Sequence, residues 1–230
     1  MEAVLLEAVL LYISISASAI VFLPLLLIFG TQLTGLGPTW WKNACAKLLR
    51  KIINKNRAFE YTLIDDGILL GALPKTEANV KDLVEGQKVT GIITLNMAWE
   101  ISITTEQIVK AGAEHLHLPT PDFSAVSQID LAKGVEFMEK HISSNGVVYV
   151  HCNAGKGRST SVVLCYLIEK KGMPKLEAFH FCKAKRKIAK FTALCGTRPQ
   201  WRAIGRFERN LKNGEVQKQR GKQGNQVVPL

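Results

Sequence analysis

The sequence is poor in cysteine, and some of its segments lack basic or acidic residues altogether. Five cysteines in 230 residues are too few for the disulfide framework of a small secreted protein. Hydrophobic residues make up 47% of the chain and charged residues 21%, which excludes a mostly disordered or fibrous protein. The length predicts one domain of ordinary size with extensions.

Charge is distributed unevenly along the chain, whose formal net charge is +11. Residues 1–40 contain no Lys or Arg, and residues 41–58 contain no Asp or Glu. Residues 59–179 hold more acidic than basic side chains, whereas residues 180–230 are strongly basic. A uniformly basic nucleic-acid-binding domain is therefore excluded, and we predict no nucleic-acid partner.

An uncharged apolar run covers residues 8–30. A helix rises about 1.5 Å per residue, so this run is long enough to cross a hydrocarbon core of roughly 30 Å. A cleaved signal peptide is the alternative, but such peptides begin with basic residues and have a shorter apolar stretch. We predict a transmembrane anchor within residues 1–40.

The basic segment 41–58 places apolar residues at helical spacing, with Lys and Arg on the opposite face. It predicts an amphipathic helix on an anionic membrane surface, and a helix packed on the domain is the alternative. The positive-inside rule places the chain after this segment on the cytoplasmic or matrix side. That compartment is reducing, so we expect free thiols at Cys45, Cys152, Cys165, Cys182 and Cys195.

Strands alternate with helices between residues 59 and 212, which predicts the α/β class. Residues 91–95 and 146–150 are short continuous apolar runs, as expected for strands buried on both faces. We therefore expect a central, mostly parallel sheet flanked by helices. Residues 213–230 are rich in Gln, Gly and Lys and are predicted to form a disordered basic tail.

The segment HCNAGKGRST directly follows the apolar strand 146–150 and precedes a predicted helix. A short loop over a helix N-terminus turns backbone N–H groups inward and forms an anion-binding nest. Arg158 can hold two phosphate oxygens, and the same positive field favours a Cys152 thiolate, which predicts a nucleophile facing a phosphate. The other predicted substrate-binding residues are Asn153, Ala154, Gly155, Lys156, Gly157, Ser159 and Thr160.

The hydroxyl and imidazole groups of this region have secondary predicted roles. We interpret Ser159 and Thr160 as helix-cap hydroxyls, one of which can also hydrogen-bond the sulfur. We assign His151 a structural role. His115 and His117 alternate on a strand without Cys or carboxylate at ligand spacing, so no metal and no cofactor are predicted.

A phosphate ester that loses an alkoxide needs a proton donor. Asp122 follows a predicted strand in a loop with two prolines, 30 residues before Cys152, and it is our predicted general acid. Taken alone, this residue would be interpreted as a local turn aspartate, and it is the presence of Cys152 and Arg158 that favours the general acid. Asp130 is assigned instead to the first turn of the following helix.

Residues 60–212 resemble the dual-specificity branch of the protein tyrosine phosphatase superfamily, and most closely the mitochondrial phosphatases of phosphatidylglycerophosphate. The matching segments are ILLGALP, GIITLN, LPTPDF and VHCNAGKGRST. The last also resembles the loop of tensin-type 3-phosphoinositide phosphatases, which carry Lys at the position of Lys156. The resemblance implies a metal-free two-step mechanism, with a phosphocysteine at Cys152 and acid–base chemistry at Asp122.

The chain departs from the resemblance in two places. Of the acidic stretch that follows Asn96 in the mitochondrial group, only Glu100 remains, and Asn153 stands where these relatives usually have Lys. The leading hypothesis is a monomeric, membrane-anchored phosphatase acting on a phosphorylated lipid. A phosphoprotein substrate and a catalytically inactive phosphate-binding adaptor are the alternatives. The resemblance implies the mitochondrial inner membrane, with the endoplasmic reticulum membrane as the alternative.

Overall fold

A computed structural model describes residues 58–188 and 199–214. The predicted anchor in 1–40 lies outside these residues. So do the basic segment 41–58, except for residue 58, and the tail 213–230, except for residues 213 and 214. Within the described ranges, no helix has both the length and the apolar character to cross a bilayer.

The described chain forms a five-stranded sheet with helices on both sides. The strands are β1 (Tyr61–Asp65), β2 (Ile68–Gly71), β3 (Val89–Thr94), β4 (Glu114–His117) and β5 (Val147–His151). The helices are α1 (Glu77–Lys81), α2 (Thr105–Lys110), α3 (Gln128–Ile142), α4 (Arg158–Lys170), α5 (Lys175–Lys185) and α6 (Pro199–Lys212). One π turn, Asp82–Gly86, continues α1, and a short 3₁₀ helix spans Ala98–Glu100.

The strand order is β1-β2-β5-β3-β4, in which only the β1–β2 pair is antiparallel. The predicted α/β class and mostly parallel sheet are confirmed. β1 and β2 form a hairpin, and its turn uses Gly67 at a φ of +75°. The carboxyl ends of β2, β3, β4 and β5 meet at one edge of the sheet, where α/β proteins commonly bind ligands.

Two apolar cores hold the sheet between its helical layers. One lies between the sheet and α3, α4, α5 and α6, and includes side chains of β5 and α4 that are completely buried. The smaller one lies on the opposite face, against α1 and α2. β5 is the central strand, so both cores fix the position of the loop that follows it.

Candidate active site

The loop Cys152–Gly157 connects β5 directly to α4 at the carboxyl edge of the sheet. The residues predicted to bind a phosphate are therefore all in this loop or in the first turn of α4. We call the loop together with the start of α4 the cradle, residues 152–160. At the start of α4, the Ser161 hydroxyl donates a hydrogen bond to the Gly157 carbonyl.

Cys152 is buried, with 3% of its surface exposed. Burial acts to raise the pKa of its thiol, but the charge of Arg158 and the hydrogen bonds from Ser159 outweigh it. The pKa of Cys152 consequently lies below its ordinary value. Burial instead raises the pKa of Cys165, and it raises the pKa of Cys182 to about 12. Of these three free cysteines in the described chain, only Cys152 has a stabilised thiolate.

Ser159 and Thr160 lie inside α4 instead of capping it, so the predicted cap role is wrong. The helix begins at Arg158 after Gly157, which makes no side-chain cap. Ser159 Oγ instead donates to Cys152 Sγ over 3.2 Å, which is the second role that the sequence left open. Thr160 Oγ1 donates to the Gly155 carbonyl at 3.5 Å.

The guanidinium of Arg158 is almost fully buried and points into a ring of acceptors. Its Nη1 donates to Glu100 Oε2 at 2.7 Å and to the Thr120 carbonyl at 2.8 Å, and its Nη2 donates to Glu100 Oε1 at 3.3 Å. Nη2 also lies 3.1 Å from Asp122 Oδ1. The Nε–H of Arg158 is buried and has no hydrogen-bond partner among the described residues.

From the sequence, Glu100 was identified only as the acidic residue that remains of the stretch after Asn96. Its ion pair with Arg158 was not predicted. The carboxylate is completely buried and forms a two-point pair with Arg158, which is 58 residues away. Glu100 Oε2 also accepts the Met97 backbone N–H at 2.7 Å, which fixes the 3₁₀ turn. The pair orients the fork of Arg158 and balances a charge that would otherwise be isolated in the interior.

Replacing Glu100 by Ala is expected to lower the free energy of unfolding by about 3–5 kcal/mol, because it leaves a buried guanidinium without its main partner. Urea unfolding of the full chain measures this loss. Added inorganic phosphate should stabilise the variant more than the wild type, since a bound anion supplies the missing charge. Glu136→Ala removes an exposed carboxylate and is the control. Equal losses in the two variants would contradict the proposed role of Glu100.

Asp122 lies beside Arg158, as the sequence prediction requires. Its side chain is about one-quarter exposed, and its Oδ1 also accepts the backbone N–H of Phe123 at 3.0 Å. Phe123 has a φ of +61°, a conformation that is unfavourable for a bulky residue and bends the chain sharply after the acid. Asp130, by contrast, bonds Ser127 at the start of α3, as predicted.

Arg186 supports the cradle from outside, and no sequence signal singled it out. Its Nε donates to the Gly155 carbonyl and its Nη2 to the Ala154 carbonyl, both at 3.3 Å. Because a trans peptide directs its N–H opposite to its C=O, these bonds turn the following amides of the loop inward. Gly155 has a φ of +62°, and a Cβ there would lie 2.3 Å from the Gly71 carbonyl, so only glycine fits.

His151 has the structural surroundings that the sequence suggested. Its Nε2 lies 2.7 Å from Thr94 Oγ1, and His115 Nε2 lies 2.9 Å from the same hydroxyl. Burial lowers the pKa of His151 to about 3 and that of His115 to about 4, so both rings are neutral at physiological pH. The chain of bonds anchors the end of β5 directly before Cys152. His117 contacts the Asn96 carbonyl at 2.8 Å.

A match to a family of proteins and matches to individual proteins agree on one family. Residues 74–196 match the family described as "Dual specificity phosphatase, catalytic domain". The chain is 40% identical over 126 residues to the Arabidopsis thaliana phosphatidylglycerophosphate phosphatase PTPMT2, a match covering 54% of each protein. It is 37% identical to the human phosphatidylglycerophosphatase and protein-tyrosine phosphatase 1 over 60% of this chain and 68% of the human protein. The match thus spans about half of the plant protein.

Solved structures show the same relationship. The crystal structure of PTPMT1 in complex with PI(5)P superposes with a TM-score of 0.60 and 31% identity, covering 67% of this chain and 97% of that one. Tk-PTP in its active form superposes with a TM-score of 0.59 and 25% identity, covering 65% and 96%. The chain therefore belongs to the dual-specificity branch of the protein tyrosine phosphatase superfamily, alongside the phosphatidylglycerophosphate phosphatases.

Proposed function

We propose that the chain is a cysteine-dependent phosphatase that hydrolyses a phosphate monoester on a lipid. The observation that carries the proposal is the convergence of three groups at one edge of the sheet. Cys152 has a stabilised thiolate, Arg158 has a free Nε–H donor, and Asp122 lies 3.1 Å from the guanidinium. A nucleophile, an anion holder and a proton donor are the parts needed for phosphoryl transfer to sulfur.

The first step forms a bond between the Cys152 sulfur and phosphorus while the bond to the leaving oxygen breaks. Arg158 and the inward amides hold the equatorial oxygens, and the Asp122 carboxyl gives its proton to the leaving oxygen. A bound phosphate competes with Asp122 for the Nη2 donor of Arg158. Binding of the substrate thus releases the Asp122 carboxyl towards the leaving group.

The second step transfers the phosphoryl group from sulfur to water. The Asp122 carboxylate takes a proton from the attacking water, the S–P bond breaks, and inorganic phosphate is released. The electron pair returns to the Cys152 sulfur, where the hydroxyl of Ser159 and the charge of Arg158 stabilise the departing thiolate. The proton taken from water restores the Asp122 carboxyl group for the next turnover, and the water oxygen becomes part of the released phosphate.

Replacing Asp122 by Asn is expected to slow turnover of an alkyl phosphate by about 10²-fold, because the leaving alkoxide then lacks its proton donor. The loss should be much smaller for p-nitrophenyl phosphate, whose leaving group is a weak base and needs no proton. Steady-state kcat on the two substrates measures the difference. Asp130→Asn is the matched control and should leave both rates unchanged. Equal losses on both substrates would exclude Asp122 as the acid.

The lipid assignment rests on the relatives and on the predicted N-terminal anchor. The human relative carries both phosphatidylglycerophosphatase and protein-tyrosine phosphatase in its name, and the superposed PTPMT1 structure holds PI(5)P. A panel of phosphatidylglycerophosphate, phosphoinositides and phosphotyrosine peptides, with Cys152→Ser as blank, tests the assignment. We expect the highest kcat/KM on a lipid. A strong preference for the peptides would replace the lipid by a phosphoprotein.

We also propose that residues 1–40 hold the protein in a membrane, with residues 41–58 lying along its surface and the catalytic domain on the mitochondrial matrix side. The support is the uncharged run 8–30 and the basic segment that follows it. Carbonate extraction of membranes tests the anchor, and the protein should stay in the pellet. Release into the supernatant would contradict it.

A further inference from the structure

An open cleft of about 250 Å³ adjoins the cradle on its β1 side. Side chains from three separate parts of the chain converge there: the start of β1, the cradle, and the end of α5. The residues that line it are Glu60, Thr62, Lys156, Lys185, Arg186 and Lys187. Among the described residues that line the cleft, four are basic and one is acidic, so the cleft has a positive field.

Two of the basic side chains are held in place by the fold. Lys185 Nζ donates to the Ile64 carbonyl at 2.6 Å and lies 4.5 Å from the centre of the Phe181 ring. Arg186 is buried, and its Nη1 donates to Thr62 Oγ1 at 3.0 Å. Little side-chain entropy would be lost there when an anion binds.

The single carboxylate in the cleft is already engaged. Glu60 Oε1 accepts a bond from Arg186 Nη2 at 3.2 Å, so these two charges largely cancel. Lys156, Lys185 and Lys187 therefore leave an uncompensated charge of about three in the cleft. Lys156 makes no ion pair with any residue in the described part of the chain, and its ammonium group is available to a ligand.

The cleft shares residues with the cradle. Lys156 belongs to both, and Arg186 binds cradle carbonyls while its other donors line the cleft. A substrate whose phosphomonoester occupies the cradle would thus present a neighbouring group to the cleft. Three lysine ammonium groups suit a compact anion whose negative charge is spread over several oxygens, such as a second phosphate.

We infer that this cleft is a second phosphate site, which binds another phosphate of the same substrate while the monoester lies in the cradle. The inference rests on the proposed function, because it requires a phosphomonoester in the cradle. It specifies the substrate class as compounds with two phosphates a few bonds apart, such as a phosphodiester beside a phosphomonoester in a phospholipid headgroup. The phosphate of a soluble bisphosphate has the same chemistry.

Calorimetric titration of the full-length Cys152→Ser chain in non-ionic detergent tests the inference without turnover. The probes are propane-1,3-diyl bisphosphate and propyl phosphate, which differ only in the second phosphate. We expect the bisphosphate to bind at least roughly ten-fold more tightly. Equal affinity of the two probes would overturn the inference.

Adding Lys185→Gln and Lys187→Gln should remove most of the bisphosphate advantage. The affinity for propyl phosphate should change by less than about two-fold, because these lysines lie outside the cradle, and this also shows that the variant is folded. Lys110→Gln with Lys183→Gln removes the same charge from exposed positions elsewhere and should keep the advantage. An equal loss for both probes, or the same loss in this control, would contradict the site.

The outcome is separable from that of the proposed function. Turnover of short-chain phosphatidylglycerophosphate by the wild type, below its micelle concentration, tests the lipid substrate independently. If the wild type fails to hydrolyse that lipid while the bisphosphate advantage depends on Lys185 and Lys187, the second phosphate site stands and the lipid assignment falls. In the reverse case, the lipid assignment stands and the site is refuted.

Discussion

Turnover of p-nitrophenyl phosphate is expected to fall by roughly 10⁴-fold or more in the Cys152→Ser variant, with little change in phosphate affinity. The thiolate is the only group in the described cradle that is placed and charged to attack phosphorus. A serine hydroxyl in the same position is far less ionised, so the covalent step is lost. The amides and Arg158 that hold the anion are unchanged.

Rate and affinity should be measured separately for this variant. Single-turnover kinetics report the chemical step, and calorimetric titration with inorganic phosphate reports binding. Cys165→Ala is the matched control, because Cys165 is also buried but burial raises the pKa of its thiol. It should retain the wild-type rate. A Cys152→Ser chain with more than one-tenth of the wild-type rate would remove the phosphocysteine from the mechanism.

Arg158→Lys is expected to lower kcat/KM for the same substrate by roughly 10³-fold, although the net charge is kept. The planar fork of arginine binds Glu100 at two points and still has Nε–H for the substrate. An ammonium group cannot serve Glu100, Thr120 and a phosphate oxygen in one plane. Orientation of the anion, and not charge alone, is what this substitution removes.

Arg186→Lys is the matched control for that experiment. Arg186 binds the cradle carbonyls of Ala154 and Gly155 from outside and does not contact the phosphate in our scheme. Its replacement should cost much less than that of Arg158. The relevant measurements are kcat/KM and the inhibition constant of inorganic phosphate, both of which should worsen in Arg158→Lys. A value of kcat/KM within ten-fold of wild type would show that Arg158 does not position the substrate.

The cradle could be predicted from sequence because its parts are contiguous. A buried strand, a loop with two glycines and a helix start occupy residues 146–160, so local chemistry specifies the geometry. The role of Ser159 and Thr160 as caps was predicted wrongly, because α4 already begins at Arg158 and both residues lie within the helix.

The supporting contacts could not be predicted, because they join residues that are far apart in the chain. Glu100 reaches Arg158 across 58 positions, and Arg186 reaches Thr62 across 124. Arg186 also sits in a run of Lys and Arg, where composition suggests only a solvated charge. Its burial comes from packing of α5 against the hairpin β1–β2, which no local pattern reveals.

The position of Asp122 was predicted in part. Its place after a strand indicated the right edge of the sheet, because β4 runs parallel to β3 and β5. Its 3.1 Å approach to Arg158 depends on the sharp bend at Phe123 and on the Thr120 carbonyl bound to Arg158. These tertiary features distinguish an acid beside the cradle from an ordinary turn aspartate.

Spectroscopic titration of the Cys152 thiolate tests the central claim most directly. The absorbance of thiolate near 240 nm is recorded against pH for the wild type and for Cys152→Ser, and the difference isolates this one sulfur. Burial favours the neutral thiol, while Arg158 and Ser159 favour the thiolate and outweigh it, so the difference should titrate below the ordinary cysteine pKa. The thiolate would then persist above that pH and be lost as the pH falls through it. A midpoint at or above the ordinary cysteine value would contradict the account.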